Sequence, residues 1–317
     1  MGLELLLAWG LDLWLGDPPT WPHPVRGLGW AIKALEAPLR KIFPQARQAG
    51  MALAAIIVLA TVGLVLTLQF LATWIYPGLG FIFSVFLIYL ALSVKDLADH
   101  AQAVYQPLVS GELPAARLAL SRIVGRDTAK LSEPEIIRAT VETIAENIVD
   151  GVISPLIYAA LGGPALAWGY KAVNTLDSMV GYPWGRYQEY GWASAKLDDV
   201  LNWLPARLGG ALLALAARLI GLHGWRSWQI CWRDGRKHPS PNAGFPEAAM
   251  AGALGLPLGG ASSYGGRQVN KPGLGDAGRD PEPADIAQAL RLLYAVSVLA
   301  VLSLTLLLVL VNFMLTR

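Results

Sequence analysis

Two groups of acidic and amide residues in this sequence have types and spacings that could carry chemistry. The first lies in the stretch ATVETIAENIVDG, where Glu142, Glu146 and Asp150 recur four residues apart and Asn147 follows Glu146. On a helix these four side chains share less than half of the surface, and like charges so close destabilise each other unless a basic partner answers them. One interpretation is a solvated acidic face with Arg138 one turn earlier. The broken apolar segment that follows directly favours a functional site.

The second group combines Asp198, Asp199 and Asn202 with Asn174 and Asp177 upstream in the run NTLDSMVGY. An Asp-Asp-x-x-Asn run on a helix places hard oxygen ligands one turn apart. Magnesium is held against substrate phosphates by ligands of this kind. We therefore predict metal ligands at Asp177, Asp198, Asp199 and Asn202, with Asn174 contacting substrate.

A stretch rich in Gly and Pro, HPSPNAGFPEAAMAGALGLPLGGASSYGG, begins at His238 and is followed by Arg267 and Lys271. Glycine allows backbone N–H groups to approach phosphates, and basic side chains complete an anion site. A structured loop punctuated by turns would explain the same composition without a ligand. No G-x-x-x-x-G-K-[ST] motif occurs, so a nucleotide would have to bind in another way. The predicted substrate or phosphate contacts are Asn147, Asn174, His238, Asn242, Glu247, Arg207, Arg267 and Lys271.

The run GDPPTWPHPV has four prolines, at positions 18, 19, 22 and 24, that predict an extended loop with Asp17 and His23 as its ionisable groups. A lone His between prolines is more often a loop residue than a catalyst. The other histidines are scattered, and Cys231 is the single cysteine. The sequence therefore excludes an internal disulfide and a Cys-based zinc or iron–sulfur cluster.

The composition indicates a membrane protein. The mean hydropathy is +0.44, and only 15% of the 317 residues are charged. No Asp, Glu, Lys or Arg occurs over the 47 residues from Gln48 to Val94 or over the 25 residues from Leu292 to Thr316. A membrane-spanning helix needs about 20 apolar residues. A purely soluble fold is excluded, and the net charge of +2 offers no field for nucleic acid.

We predict an all-α, polytopic integral membrane protein with a single membrane-embedded domain, residues 1–317. Its confident spans are about 51–75, 79–94 and 292–316, the first two forming a helical hairpin around Tyr76-Pro77-Gly78. Broken or re-entrant segments are expected at about 3–15, 151–170 and 208–222, since Pro and Gly interrupt apolar runs or the runs are short. Polar segments that carry the site residues are 95–150, 171–207 and 223–291.

Basic residues flank the hairpin, with Arg40, Lys41 and Arg47 before it and Lys95 after it. The positive-inside rule makes that side cytoplasmic. Many of the twelve tryptophans lie beside the apolar segments, which is typical of an interfacial aromatic belt. A platform for a large ring-shaped ligand is the alternative interpretation.

Five motifs in order resemble the CobD/CbiB family of cobalamin biosynthesis, adenosylcobinamide-phosphate synthase. They are GDPPTWPHPVRGLG, ETIAENIVDGVISPL, KAVNTLDSMVGY, DDxxNWxPAR starting at Asp198, and HPSPNAGFPEAAMAGALG. Each motif alone is weak, whereas the five together span nearly the whole chain. The loop GRQVNKPGLGDAGRDPEP is longer than expected for the family.

The resemblance implies an ATP-dependent ligase in the cell (inner) membrane, with its active site facing the cytoplasm. It would join adenosylcobyric acid to (R)-1-amino-2-propanol phosphate or the free amino alcohol, and it could associate with other membrane enzymes of cobalamin assembly. Magnesium would be held by Asp198, Asp199 and Asp177. Glu142 or Glu146 would hold the substrate ammonium or accept its proton. The basic residues Arg207, Arg267 and Lys271 would neutralise phosphates.

Three other functions remain open from the residues alone. A magnesium-dependent prenyl or phosphatidyl transferase also uses paired acidic motifs, although such enzymes have more long spans. A non-enzymatic membrane regulatory protein would not need the acidic clusters. A transporter would need charged groups within its spans, and the long spans here carry none.

Overall fold

A computed structural model describes residues 1–18 and 23–316, so Pro19 and Pro22 of the proline-rich loop lie outside the described residues. In chain order the α-helices of this part are α1 Gly2–Leu15, α2 Pro24–Ile42, α3 Ala46–Ile75, α4 Pro77–Tyr89, α5 Val94–Val109, α6 Leu113–Leu120, α7 Glu133–Ile148, α8 Ser154–Val180, α9 Trp192–Leu201, α10 Trp203–Leu219, α11 Gly224–Asp234, α12 Gly244–Leu254 and α13 Pro283–Leu315. A π-helical turn, Val149–Ile153, joins α7 to α8, and two strands, β1 Leu258–Tyr264 and β2 Arg267–Leu274, precede α13.

The prediction of an all-α polytopic membrane protein is confirmed. Within the described part, four helical stretches are long and apolar enough to cross a membrane, namely Ala46–Ile75, Pro77–Val109, Glu133–Val180 and Pro283–Leu315. A fifth is obtained if Trp192–Leu201 and Trp203–Leu219 form one broken span. The three stretches that the sequence marks as spans coincide with parts of these helices, and the last, 292–316, runs one residue beyond the helix end at Leu315.

The hairpin between α3 and α4 turns on a single residue. Tyr76 has an extended backbone, and Pro77 is the first residue of α4. Proline suits that position because its fixed φ favours a helix start and its missing N–H would have no helical partner there.

The structure groups these elements into two compact units. Unit 1 comprises Met1–Ser93, Ser154–Asn202 and Val301–Arg317, and unit 2 comprises Val94–Ile153 and Trp203–Ala300. Each unit therefore gathers segments that are distant in sequence.

The core of unit 1 forms where α2, α3 and α8 pack, with Ile32, Leu53 and Leu176 among its buried side chains. Tyr190, in the turn before α9, is fully buried in this core. The guanidinium of Arg40 lies over the Tyr190 ring at 3.9 Å from its centroid. This cation–π contact from Arg40 thus helps to hold the turn that contains Tyr190.

Helix α8 contains the break that its sequence predicts. Gly163 has φ 64°, a left-handed conformation that favours glycine, and Pro164 follows without a backbone N–H. The freed backbone groups lie within a segment otherwise packed against protein, since Ala159, Ala165 and Trp168 are buried. This is the setting in which a broken helix is tolerated at membrane depth.

Unit 2 is built around α12. Every residue of this helix, from Gly244 to Leu254, is buried, and α7, α10 and α11 pack against it. Close approach depends on small residues, since Gly252 faces the backbone of Ser227, whose hydroxyl donates to the carbonyl of Ala249 at 2.7 Å. A buried helix normally carries only apolar side chains, whereas α12 carries the carboxyl of Glu247.

The strands β1 and β2 form an antiparallel hairpin in a region that we expected to be a glycine-rich loop. Tyr264 pairs with Arg267, so Gly265 and Gly266 are the two turn residues, with φ of 57° and 80°. Two left-handed residues in succession match the twist of a hairpin, and Gly-Gly is a known signal for that turn. The strands carry few β-branched residues, which explains why the sequence pattern did not reveal them.

Substitution of Gly50 by Ala tests the packing of α3 in unit 1. A Cβ at Gly50 would lie 1.7 Å from the backbone oxygen of Tyr190, whereas a Cβ at Gly63 of the same helix would meet no heavy atom within 4 Å. We expect Gly50→Ala to lower the free energy of unfolding by about 1–3 kcal/mol, measured by denaturant unfolding in detergent micelles. The matched control Gly63→Ala should not destabilise the protein. Equal stability of the two variants would contradict the packing described here.

Candidate active site

The carboxyl group of Glu247 lies inside unit 2 on the first turn of α12. The residue is 1% exposed, and neither carboxyl oxygen accepts a hydrogen bond from any described residue. Burial raises the pKa of Glu247 well above its usual range. A buried polar group without a partner is rare in proteins and calls for an explanation.

Charged side chains from several elements surround this carboxyl. Those that interact with it electrostatically are Lys271 of β2, Glu142 and Glu146 of α7, and Arg126 of the loop before α7. Together with His238 we name these residues and Glu247 the Glu247 cluster. Burial lowers the pKa of Lys271, but Glu247, Glu146 and Glu142 outweigh it, so the pKa of Lys271 is raised overall. Lys271 therefore carries its charge among carboxylates.

The imidazole of His238 faces Glu247. Its Nε2 is 3.9 Å from Oε2 of Glu247 and has no hydrogen-bond partner among the described residues. Its Nδ1 accepts the backbone N–H of Ser240 at 3.0 Å. Burial and the nearby charge of Lys271 lower the pKa of His238 to about 4. The ring is therefore neutral at physiological pH, with its proton on Nε2, on the side of Glu247.

Both carboxylate oxygens of Glu142, a predicted catalytic residue, accept hydrogen bonds from other residues of the protein. Arg126 donates to its Oε2 at 2.5 Å, and the backbone N–H of Gly259 donates to its Oε1 at 2.8 Å. The Nε of Arg138 lies 4.0 Å from the same carboxylate. Glu142 thereby ties α7 to the loop before it and to the start of β1.

The other residues of the first acidic group differ in their surroundings. Glu146 is exposed, while Asn147 and Asp150 are half-buried. The amide of Asn147 donates to the backbone oxygen of Thr143 at 2.9 Å. Asp150 lies in the π-helical turn, a feature that is frequent at functional sites. Of this group, the structure brings Glu142 and Glu146 into the Glu247 cluster.

The three basic residues predicted to contact phosphate lie in three places in unit 2. Arg207 packs its guanidinium over Phe245 at 4.4 Å from the ring centroid and lies 3.5 Å from Oδ1 of Asn242. Arg267 is exposed at the hairpin turn, whereas Lys271 joins the Glu247 cluster. Carboxylates outnumber basic groups around Lys271, so its surroundings favour a cation over a phosphate.

Unit 1 holds the second predicted group around Asp198. The amide of Asn202 donates to Asp198 at 3.0 Å, and that of Asn174 lies 3.4 Å from it. The oxygen of Asn202 accepts from Ser154 at 2.6 Å and from Tyr170 at 3.0 Å. The amide of Asn202 is thus used to hold Asp198 in place.

The other two predicted metal ligands are Asp199 and Asp177. Asp199 pairs with Lys196 at 2.6 Å, and Asp177 lies one helical turn beyond Asn174 on α8. Within residues 1–18 and 23–316, no group of three His, Cys, Asp or Glu side chains could hold a metal ion. Magnesium bound to a nucleotide uses only one or two protein carboxylates, and the oriented carboxylate of Asp198 is compatible with that mode.

Sequence reasoning missed Arg126 and Asp127, which lie in the loop before α7. Arg126 pairs with Glu142, and Asp127 accepts from the hydroxyl of Ser263 at 2.6 Å and the N–H of Gly266 at 2.8 Å. Asp127 thereby fixes the hairpin turn. The only local signal that could have pointed to these two residues was their position as an Arg-Asp pair in the loop directly before an acidic helix.

Neutralising Glu142 tests the ion pair with Arg126. Glu142→Gln should lower the free energy of unfolding by about 3 kcal/mol, because removing one member of a buried ion pair leaves the other charge uncompensated. The matched control is Glu133→Gln on the exposed first turn of the same helix, which should change stability little. Denaturant unfolding of both variants in detergent measures the difference. Unchanged stability of Glu142→Gln would exclude this structural role.

Comparison with known proteins identifies the family. The model of the CobD/Cbib protein family matches residues 5–293. The cobalamin biosynthesis protein CbiB of Salmonella typhimurium is 46% identical over 301 residues, which cover 94% of each chain. The CobD proteins of Klebsiella pneumoniae and Geobacter metallireducens are 47% and 48% identical over 301 residues, with 94% and 95% of each chain covered.

No solved structure matches the chain significantly. The family match spans most of the sequence, and the curated relatives are similar along almost their whole length. The resemblance inferred from the five motifs is therefore confirmed, and the chain belongs to the CobD/CbiB family.

Proposed function

We propose that this membrane protein acts in cobalamin biosynthesis as an ATP-dependent amide ligase. It would join a carboxyl group of adenosylcobyric acid to (R)-1-amino-2-propanol phosphate, or to the free amino alcohol, and form adenosylcobinamide phosphate or its unphosphorylated counterpart. The names of the curated relatives support the biosynthetic role. The amide chemistry is the more specific part of the proposal.

One structural observation carries the proposal. Two family motifs that are far apart in sequence, ETIAENIVDG and HPSPNAGFPEAAMAG, meet in unit 2 around one buried carboxyl without a partner. A ligase of this class must handle an ammonium group, which becomes a nucleophile only after it loses a proton. A carboxyl with a raised pKa beside a neutral imidazole suits that task.

The reaction needs a leaving group on the carboxyl, because a carboxylate is a poor electrophile. ATP would supply it by forming an acyl phosphate, with magnesium bridging the phosphates. Asp198 is the carboxylate that we propose for magnesium, since two amides orient it. ATP is cytoplasmic, so we also propose an inner-membrane protein whose site faces the cytoplasm. The proposal includes association with other membrane enzymes of cobalamin assembly.

Product formation by detergent-purified protein tests the ligase directly. With ATP and magnesium, we expect ADP release to require adenosylcobyric acid, and an amide product to require aminopropanol phosphate or aminopropanol as well. Mass spectrometry of the corrinoid measures the product. Folded protein that releases no ADP with any combination of substrates would exclude the ligase and favour a regulatory role or prenyl transfer.

The proposed magnesium carboxylate has a matched control in its neighbour. Asp198→Asn should raise the magnesium concentration needed for half-maximal ADP release by about tenfold or more, since loss of a group that merely orients a metal ligand costs about 10–100-fold in affinity. Asp199→Asn should have a smaller effect, because Asp199 pairs with Lys196. Magnesium titrations of ADP release compare the two. An equal requirement in wild type and Asp198→Asn would remove Asp198 from the proposal.

A further inference from the structure

Unit 2 buries four carboxyl groups, and three of them are fully provided with partners. Asp234 accepts from Arg233 at 2.7 Å, Lys237 at 2.6 Å and the N–H of Gly275 at 2.9 Å. Asp285 accepts from Arg279 at 2.5 Å and the N–H of Glu282 at 2.7 Å, and Glu142 pairs with Arg126 at 2.5 Å. Glu247 is the exception among the described residues.

The contrast between Asp234 and Glu247 shows what these partners do. Burial raises the pKa of Asp234, but the hydrogen bonds from Arg233, Lys237 and Gly275 outweigh it and lower that pKa to about 2. No such bonds reach Glu247, and burial raises its pKa. Hydrogen-bond partners therefore favour the ionised form of Asp234. Glu247 lacks such partners, so its carboxyl group binds a proton more readily.

The groups that face Glu247 resemble a site for an alkylammonium ion. Lys271 already brings a primary ammonium to it from β2, and Glu142 and Glu146 of α7 add negative charge. Arg126 and the neutral His238 are the other charged or titratable groups that face it. A substrate ammonium has the same charge and hydrogen-bond donors as the Lys271 side chain.

A cleft opens beside Arg126 in unit 2. Its volume is about 690 Å³, and it is lined by Arg126, Lys130 and the hairpin residues Ser263 and Gln268. Arg126 belongs both to the cleft and to the Glu247 cluster. The volume is within the range of small-molecule sites, about 300–1,000 Å³, and far exceeds that of an amino alcohol phosphate.

We propose that Glu247 is the base that takes the proton from the ammonium group of the amino alcohol, with the imidazole of His238 lying beside it at 3.9 Å. This inference rests on the proposed ligase function and adds the binding place and activation of its nucleophile. Glu142, held by Arg126 and Gly259, is a positioning residue in this arrangement.

The proton balance of the step is complete. Glu247 first releases its own proton to water, and the substrate ammonium then transfers one proton to the Glu247 carboxylate and becomes a neutral amine. The amine nitrogen then forms a bond to the carbonyl carbon of the acyl phosphate that ATP has generated, and the bond from that carbon to the phosphate oxygen breaks. The second proton leaves the nitrogen with the departing phosphate, and Glu247 returns its proton to water.

Hydroxylamine separates amine activation from the rest of the reaction. It is mostly unprotonated at neutral pH, so it attacks an acyl phosphate without a base and yields a hydroxamate. We expect Glu247→Gln to form hydroxamate from adenosylcobyric acid and ATP within about twofold of wild type. Its rate of amide formation with aminopropanol phosphate should fall by about 10²–10⁴-fold at neutral pH, the usual contribution of general base catalysis.

The pH profile supplies a readout that a structural role would not move. The defect of Glu247→Gln should shrink as the pH rises, because more of the amine is then neutral in solution. Glu247→Asp keeps a carboxylate and should fall between wild type and Glu247→Gln, with the hydroxamate rate preserved. The matched control Glu133→Gln, on the exposed first turn of α7, should behave as wild type in both reactions.

Three results would overturn the inference. Normal amide formation by Glu247→Gln at neutral pH would show that another group takes the proton. Equal loss of hydroxamate and amide in both Glu247 variants would assign Glu247 to folding or to carboxyl activation. If wild type formed neither product, the ligase itself would be excluded, and the role of Glu247 with it. Hydroxamate formed by wild type thus separates a failure of this inference from a failure of the proposed function.

Discussion

The burial of a carboxyl group on the central helix of unit 2 is the constraint on which the arrangement around it depends. An ionised carboxylate inside a protein costs several kcal/mol unless charges or hydrogen bonds compensate it. Helix α12 is buried over its whole length, so Glu247 cannot turn towards water. The Lys271 ammonium and the Arg126 guanidinium supply part of that compensation, but burial outweighs them and the pKa of Glu247 stays raised.

This requirement explains why so many segments converge on one place. Lys271 reaches the cluster from the hairpin, which Asp127 holds at its turn and Glu142 holds at its start. Arg126 comes from the loop before α7 and is fixed by Glu142. Removal of any of these ties would expose a charge imbalance next to Glu247. The interactions that hold these segments together therefore also set the charge around Glu247.

Unit 1 handles its polar residues differently. Asp198 is held by the amides of Asn174 and Asn202, and Asn202 is held in turn by Ser154 and Tyr170. Amides orient a carboxylate without neutralising its charge, so this network preserves a negative group for a cation. The break at Gly163 and Pro164 likewise lies within packed protein, where freed backbone groups can find partners.

The sequence by itself determined the membrane character, the break in α8 and the family. These features depend on runs of apolar residues, on Pro and Gly, and on motifs, all of which are local. It also selected Glu142, Glu247, His238 and Lys271 as site residues. It could not assign them different roles, because helical spacing gives the face on which a side chain lies but not what lies across from it. The β hairpin escaped detection because its strands carry few β-branched residues.

Only the tertiary structure decided that Arg126 and Gly259 donate hydrogen bonds to the carboxylate of Glu142. It likewise decided that Glu247 has no hydrogen-bond partner among the described residues. It also decided that Lys271 lies among carboxylates, where the sequence suggested a phosphate contact. The physical reason is that burial and charge compensation are set by residues more than a hundred positions apart, such as Glu142 and Glu247. Their distance in sequence carries no information about their distance in space.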